Sequence, residues 1–330
     1  MMAEHPHSIL LAALAAAVAA VCYFATMYYF PKRRRKNDKI VLAFFHPHCD
    51  SGGGGERVLW VMVEALLREE ALSNRLKIVI YASKGENCKG AILASVKDSF
   101  RIDVSQYSDL LSFVCVSSTS LLDAKWYPVA TMLFQSVASI IVGLECIIRH
   151  SPDIYCDTMG AAFTYPLAKA LCGCLVVTYT HYPIISSDML QRVREQRPSH
   201  NNDRLISGSV SISAAKLLYY RMFASAYSFV GSFADLVMVN SSWTEGHICR
   251  LWRLNRDSKG MQPDNATDIA SPSDTLSGSA CHGKALVKLY PPCNTTHLQG
   301  IPLGDISSRR RVVLSVGQFR PEKDHLLQLR

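Results

Sequence analysis

Apolar runs and stretches of helical periodicity alternate along the chain from residue 39 onward. The first apolar run is KIVLAFF at 39–45, and apolar residues recur at helical spacing over 56–72. Similar apolar runs follow at 76–83, 113–118, 153–160, 174–181, 235–242 and 285–290. Because nearly continuous apolar strands need cover on both faces, this alternation predicts an α/β fold with a parallel sheet. Ser242 and Glu245 have the spacing of a capping box, which predicts a helix after the strand at 235–242.

Three segments depart from this alternation. Residues 130–148 are largely apolar and carry one charge, Glu145, which predicts a helix of the body that is buried or membrane-facing, or else a second membrane contact. Residues 206–234 are also long and apolar, and predict a helix that packs on the sheet or lies along a bilayer surface. Residues 255–283 are polar and lack periodicity, which predicts a mobile surface insertion.

The C-terminal residues have the pattern of a new domain. After a polar linker at 291–308, RRVVLSVGQF at 310–319 has the pattern of a first strand. A segment as short as 309–330 cannot bury a core of its own. We therefore expect one Rossmann-like domain at 39–290, followed by the opening βα unit of a second domain whose remainder is missing.

The N-terminal segment has the features of a membrane anchor. Residues 9–30 carry no charge and would form a helix about 33 Å long, close to the thickness of a bilayer core. The basic segment 31–38 follows at once, whereas a cleaved signal peptide, the alternative, carries its positive charge before the apolar run. The positive-inside rule then places residues 1–8 outside the cytosol and the body inside it.

Charge and cysteine content narrow the class of protein. The net charge is +8, and a large part of the excess lies in the basic run at 32–36, which favours a membrane surface over a nucleic acid. We find no interleaved aromatic and basic stripe of the kind that binds RNA, so no nucleic-acid partner is expected. The eleven cysteines include no CxxC pair, which favours reduced thiols in a cytosol-facing protein.

A run of glycines stands between the first strand and the first helix. Its members are Gly52, Gly53, Gly54 and Gly55. The N–H groups at a helix start lack intrahelical acceptors, and glycine lets a phosphate approach them closely. The run therefore predicts a cradle for a diphosphate, with a simple tight turn as the alternative. Arg57 and Val58 stand where a dinucleotide fingerprint needs glycine, and the lysine of a P-loop is missing.

Further candidate residues follow other strands. His181 comes just after the strand at 174–181, at the edge where parallel sheets bind ligands, and a histidine there can hydrogen-bond a sugar or carry a proton. Its alternative is a structural role. Asp157, at another strand end, is a weaker candidate for the acceptor side and could equally be a structural hydrogen-bonding group. Arg320 and Lys323 could clamp a diphosphate, or could simply be solvated.

Several motifs together resemble one enzyme family. They are FFHPHCDSGGGGERVLW, DTMGAAFTYPLAK, THYPIISSDML, VNSSWT, LYPPCN and SVGQFRPEKDH, in this order. They resemble the α-1,2-mannosyltransferases that extend dolichol-diphosphate-linked Man3GlcNAc2 with GDP-mannose on the cytosolic face of the endoplasmic reticulum. This resemblance implies a GT-B fold of two Rossmann-like domains, with the donor between them and no required metal or other cofactor.

The resemblance also implies roles for the candidate residues. Gly52, Gly53, Gly54 and Gly55 would face the donor diphosphate and sugar, His181 the transferring mannose, and Lys323 the phosphates. The basic residue that precedes this lysine in the family pattern falls on Gln318, so Arg320 would have to replace it. Transfer would retain the anomeric configuration. The glutamate pair of the family lies beyond residue 330.

The implied partners are those of a membrane-bound pathway. They are GDP-mannose, the dolichol-diphosphate oligosaccharide, lipid of the endoplasmic reticulum membrane, and other mannosyltransferases of the pathway. One alternative is a membrane-anchored fragment or binding module of the same family without activity, since most of the donor domain is missing. A nucleotide-dependent dehydrogenase is a third, weaker hypothesis.

Overall fold

The structure, a computed structural model, describes residues 39–186, 210–252, 279–281 and 284–293, with isolated positions at 189, 295, 312, 314, 315, 317 and 325–329. The predicted anchor at 9–30, the basic segment, Arg320 and Lys323 lie outside the described residues. The described residues fall into two compact units. One comprises those within Met1–Ser186 and Phe223–Pro291, and the other those within Ser187–Met222 and Pro292–Arg330.

A single sheet forms the centre of the larger unit. Its strands in the described residues are β1 (Ile40–Phe45), β2 (Leu76–Ala82), β3 (Leu111–Cys115), β4 (Ile154–Asp157), β5 (Leu175–Thr180), β6 (Leu236–Val239), β7 (Ser279–Cys281) and β8 (Lys284–Lys288). Their order is β3-β2-β1-β4-β5-β6-β8-β7, and every pair is parallel except β7 with β8. The predicted parallel α/β fold of the Rossmann-like kind is confirmed. The order reverses between β1 and β4, which is the switch point where such sheets bind ligands.

Helices connect successive strands. Those described are α1 (Gly54–Arg68), α2 (Glu70–Ser73), α3 (Lys89–Phe100), α4 (Thr131–Arg149), α5 (Tyr165–Cys172), α6 (Val210–Gly231), α7 (Ser242–Leu251) and α8 (His325–Gln328). Short 3₁₀ helices lie at Glu86–Cys88, Ser105–Leu110, Ser117–Leu122, Ala124–Trp126 and Ala162–Thr164. Helix α8 and the first part of α6 belong to the smaller unit.

The central strands are buried on both faces, as their sequences predict. On one face, Leu42 of β1 belongs to a buried cluster with Trp60 of α1 and Ile92 of α3. Phe45, three positions after Leu42 in the same strand, points to the other face. Its ring centroid lies 6.1 Å from that of Tyr155. Burial of each large apolar side chain stabilises the folded state by about 1.5–3 kcal/mol relative to an exposed one. The two apolar layers therefore fix the sheet and hold its strand ends in place.

Helix α7 begins one residue earlier than its sequence predicts. The N-cap is Ser241, whose Oγ accepts a hydrogen bond from the N–H of Thr244 at 3.2 Å. The prediction of Ser242 as the cap was wrong, because either of two adjacent serines can serve. Glu245 therefore falls outside the capping box, and its carboxylate lies 3.9 Å from the Nζ of Lys288 instead.

Helix α4 is the one helix among the described residues that is long and apolar enough to cross a membrane. One face packs in the body and buries Val142 and Cys146. The other face exposes Phe134, Ile141 and Ile148, with 48%, 50% and 58% of their surface accessible. A helix buried on all sides is therefore wrong for this segment, and contact of its exposed face with lipid stays a prediction.

Gly143 lies where α4 packs closely against Thr164, just before α5. A Cβ at this position would lie 2.8 Å from the Cγ2 of Thr164. We expect Gly143→Ala to lower the free energy of unfolding by roughly 1–2 kcal/mol, because overpacking outweighs the gain in helix propensity. Urea denaturation measures this, with Gly90→Ala in α3, where a Cβ meets nothing within 4 Å, as the matched control. Equal stability of the two variants would contradict the packing of α4.

Of three other predicted segments, the helix at 206–234 is confirmed over its described part, and the other two differ in part from the structure. The end of the predicted insertion at 255–283 contains β7, which pairs antiparallel with β8 and so extends the sheet. Helix α6 lies within the predicted segment 206–234, and its second half buries Phe223 and Tyr227. The predicted strand at 310–319 is described only at positions 312, 314, 315 and 317, none of which is in a strand.

Candidate functional site

The carboxyl ends of β1, β4 and β5 meet at the switch point of the sheet. His46 follows β1 directly, Thr158 follows β4, and His181 follows β5. The Nδ1 of His46 lies 2.7 Å from the Oγ1 of Thr158, and both side chains are buried. This hydrogen bond joins residues 112 positions apart in sequence and fixes the imidazole of His46 at the edge of the sheet.

The glycine run forms the turn that enters α1. Gly52 has φ +82°, a left-handed conformation that favours glycine, and Gly53 is the N-cap of the helix. Trp60, in the second turn of α1, donates a hydrogen bond from Nε1 to the carbonyl oxygen of Cys49 at 2.6 Å. The helix therefore holds the loop that precedes it, so the glycine N–H groups are positioned before any ligand binds.

The glycine run and His181 come together, although they are far apart in sequence. A Cβ on Gly55 would lie 3.5 Å from the Nε2 of His181, whereas a Cβ on Gly54 would meet nothing within 4 Å. The first N–H groups of a helix lack intrahelical acceptors, and the helix dipole adds partial positive charge there. The surface beside Gly54 is thus open and suited to an anion.

Glu56 also reaches this helix start, which the sequence analysis missed. Its Oε2 lies where it would clash with a Cβ on Gly53, so the carboxylate folds back over the N-cap. Its Oε1 lies 3.5 Å from the Nε2 of His46. The contact with His46, together with backbone N–H groups of the helix start, lowers the pKa of Glu56 despite its partial burial. An internal carboxylate therefore already occupies part of the predicted anion cradle.

His181 presents an uncommitted nitrogen to the same place. Its Nε2 is buried and has no hydrogen-bond partner among the described residues. Its ring packs edge-on against Tyr179 at 4.9 Å between centroids. Burial, and then the charge that His46 can carry, lower the pKa of His181. The imidazole is therefore neutral at neutral pH and can hydrogen-bond a hydroxyl group.

Asp157 is engaged inside the protein. It is fully buried and accepts hydrogen bonds from the N–H groups of Met159 and Gly160 at 2.8 and 3.1 Å, and from the hydroxyl of Tyr165 at 2.6 Å. Burial raises the pKa of its carboxyl group. These contacts favour the structural alternative for Asp157, which shapes the turn after β4 and so positions Thr158.

We expect Asp157→Asn to destabilise the fold. The amide nitrogen cannot accept the hydrogen bonds that one carboxylate oxygen receives, so the free energy of unfolding should fall by about 2–3 kcal/mol. Urea denaturation measures the loss, with Asp98→Asn on the exposed surface of α3 as the control, expected within ~0.5 kcal/mol of wild type. Unchanged stability with lost sugar transfer would instead show a chemical role for Asp157.

Comparison with known proteins places this site in a family. The family described as ALG11 mannosyltransferase N-terminus matches residues 39–252, which include the glycine run, Asp157 and His181. Proteins called GDP-Man:Man(3)GlcNAc(2)-PP-Dol alpha-1,2-mannosyltransferase from Mus musculus and Homo sapiens are each 39% identical over 293 residues. These alignments cover 88% of this chain and 52% of each relative. A protein of the same description from Caenorhabditis elegans is 34% identical over 87% of the chain and 55% of its own length.

The chain spans about half the length of the curated relatives it matches. The match of the family profile extends from the start of β1 to the end of α7, and so includes every strand end that builds the site. The chain belongs to the ALG11 mannosyltransferase family.

Proposed function

We propose that this chain takes part in transfer of mannose from GDP-mannose to dolichol-diphosphate-linked Man3GlcNAc2, in α-1,2 linkage. The names of its relatives support the two substrates and the linkage. One observation carries the proposal in the structure: the open N-terminus of α1 lies beside the uncommitted Nε2 of His181, at the switch point of the sheet. A diphosphate and a sugar joined to it need these two kinds of group side by side.

The N–H groups of the glycine run, Gly52, Gly53, Gly54 and Gly55, act on the leaving group. In the transfer, the bond from the mannose anomeric carbon to the GDP oxygen breaks, and a bond to an acceptor hydroxyl oxygen forms. The acceptor loses its proton, and GDP leaves with additional negative charge. Hydrogen-bond donors that are fixed before the reaction stabilise this charge without reorganisation. Glu56 opposes such an anion, so the diphosphate binds beside its carboxylate or displaces it from Gly53.

His181 contacts the transferring mannose as a neutral imidazole. Its low pKa keeps the ring neutral, so Nε2 is available for a hydrogen bond with a sugar hydroxyl. Arg320 and Lys323, which lie outside the described residues, bind donor phosphate as well, in keeping with the GT-B fold that the motifs imply. Transfer retains the anomeric configuration, and no metal is part of this proposal.

The reaction takes place at the cytosolic face of the endoplasmic reticulum membrane. The apolar segment 9–30 anchors the chain with its N-terminus in the lumen, and the basic run at 32–36 lies against anionic lipid. The acceptor is itself held in the bilayer by dolichol, so an anchored enzyme meets it along the surface. Other mannosyltransferases of the pathway are the proposed protein partners.

An assay in membranes tests the proposal. Membranes that carry residues 1–330 receive radiolabelled GDP-mannose and Man3GlcNAc2-diphosphate-dolichol, beside membranes with the same chain continued by the C-terminal half of the mouse relative. The expected result is a longer lipid-linked glycan, sensitive to α-1,2-mannosidase, in at least the extended form. Activity of the extended form alone supports a non-catalytic role for residues 1–330 by themselves. No product from either form, with the intact mouse protein active, overturns the proposal.

A further inference from the structure

Two exposed aromatic rings stack on each other next to the candidate site. Tyr182 lies in the loop after β5, and Trp243 lies in the first turn of α7, after β6. Their ring centroids are 5.0 Å apart and the ring planes differ by 23°. The two residues remain 58% and 42% exposed. We call this feature the Tyr182–Trp243 platform.

Buried polar contacts hold the platform in position. The hydroxyl of Thr244, a residue only 1% exposed, donates to the Oδ1 of Asn240 at 2.6 Å and lies 3.4 Å from the carbonyl oxygen of His181. The ring of Trp243 rests 4.0 Å, between centroids, from that of His247, which is 2% exposed. The loop after β5 and the start of α7 are thus joined, so the two rings keep a fixed orientation.

The position of the platform relates it to the proposed chemistry. Tyr182 follows His181 directly, and both strand ends belong to the edge of the sheet that binds ligands. A rigid, exposed pair of large aromatic side chains at such an edge marks a binding surface, because water contact with so much apolar area is unfavourable. Neither ring is needed to cover the core, which Tyr179 of the same segment enters fully.

The surroundings select the kind of ligand. Beside the rings stand the small polar residues Ser241 and Ser242, and the Nζ of Lys288 lies 3.0 Å from the Oγ of Ser242. A lipid tail or an apolar protein surface would require a wider apolar area than two rings with polar neighbours. A hexopyranose suits the site, because one face of its ring carries C–H groups that pack on an aromatic ring while its hydroxyl groups reach the polar rim.

We propose that the Tyr182–Trp243 platform is a stacking subsite for a hexopyranose ring, adjacent to but separate from the glycine run. This inference rests on the function proposed above. Two sources offer such a ring, the mannosyl group of GDP-mannose and a mannose of the lipid-linked acceptor, and both share the chemistry that the platform recognises.

Kinetics of ring-removal variants test the subsite. In the form that transfers mannose in the membrane assay, Tyr182→Ala and Trp243→Ala should each raise the KM for one of the two sugar substrates by about 5- to 10-fold, with kcat changed by less than about 3-fold. Tyr182→Phe keeps the ring and should recover the wild-type KM within about 2-fold. Trp126→Ala, which removes a ring that is 61% exposed elsewhere, is the matched control and should leave both KM values unchanged.

Each outcome bears on the subsite separately from the function. A raised KM for the acceptor or for GDP-mannose supports the subsite and identifies its source. Unchanged KM values in a wild-type background that turns over overturn the subsite and leave the function standing. Weaker binding of GDP alone in Trp243→Ala overturns it as well, because the platform would then stack a base. If the wild type shows no turnover, saturation-transfer NMR of the 330-residue chain in detergent decides, with free Man3GlcNAc2 and GDP-mannose as separate probes. A mannose signal from either probe that is lost in Tyr182→Ala supports the subsite, and no mannose signal from either probe in the wild type overturns it.

Discussion

Gly54→Val is expected to reduce mannose transfer by 100-fold or more while the protein stays folded. The position is open, with nothing within 4 Å of an added Cβ, so the fold accommodates valine. The new methyl groups would instead fill the space beside the first N–H groups of α1, where the diphosphate is proposed to bind. Loss of donors of this kind typically lowers kcat by about 10²–10³-fold. Transfer rate and urea denaturation of the same preparation measure the two effects.

A matched glycine separates this effect from a general one. Gly90 lies in the first turn of α3 and is equally open, so Gly90→Val makes the same chemical change at the start of a different helix. It should leave transfer within about 2-fold of wild type, because a surface substitution rarely changes the free energy of unfolding by more than ~0.5 kcal/mol. Gly54→Val with transfer equal to that of Gly90→Val would contradict a diphosphate site at the glycine run.

His181→Ala is expected to lower kcat/KM about 100-fold, equivalent to ~2.7 kcal/mol of transition-state stabilisation. Its Nε2 is the uncommitted polar atom beside Gly55, so its removal deletes the proposed contact to the transferring sugar without breaking a hydrogen bond of that atom within the described residues. Steady-state kinetics measure the loss. His48→Ala is the control. This half-buried histidine precedes the glycine run, and its electrostatic neighbour is Asp123. Equal kinetics of the two variants would exclude His181 from the site.

The pH dependence of transfer distinguishes His181 from a residue that only fills space. Burial lowers its pKa below the ordinary value of 6.5, so the neutral form persists into mildly acidic solution. The unfolded chain binds a proton there before the folded chain does. Stability from this group is therefore complete above pH 6.5 and declines as the pH falls below it. Transfer depends on the folded protein, so it should stay level from pH 8 down to 6.5 and decline only in more acidic solution, and His181→Gln should remove the part of that decline due to the imidazole.

The sheet could be predicted from sequence because its strands are buried on both faces. Apolar runs at 39–45 and 76–83 match β1 and β2 within one residue, since burial leaves little choice of side chain. The cap of α7 was predicted one residue late, because two neighbouring serines satisfy the same rule and only backbone geometry separates them. The 255–283 segment lacks periodicity, so its short edge strand β7 gave no signal.

The proximity of the candidate residues could be predicted from sequence, but their polar contacts could not. The glycine run and His181 could be chosen as candidates because each follows a predicted strand. Parallel strands have their carboxyl ends at the same edge of the sheet. The carboxylate of Glu56 lies over Gly53 because of its side-chain rotamer, which the sequence does not specify. Its contact with His46 depends on how the loop after β1 packs against the start of α1. The one feature of the sequence that could have indicated this contact was His46, a histidine directly after β1. The helix start is therefore not a bare cradle, and the proposed diphosphate would share it with the carboxylate of Glu56.

The most direct test of the account is the response of individual glycine amides to the donor. In the form that transfers mannose, selective ¹⁵N-glycine labelling, with assignment by Gly54→Ala and Gly55→Ala, reports on each N–H group. At GDP-mannose concentrations shown by dialysis to saturate the protein, the amide protons of Gly54 and Gly55 should move downfield as they bond to phosphate oxygens, while that of Gly90 stays in place. Amide signals of Gly54 and Gly55 that remain unchanged at saturation would contradict the account.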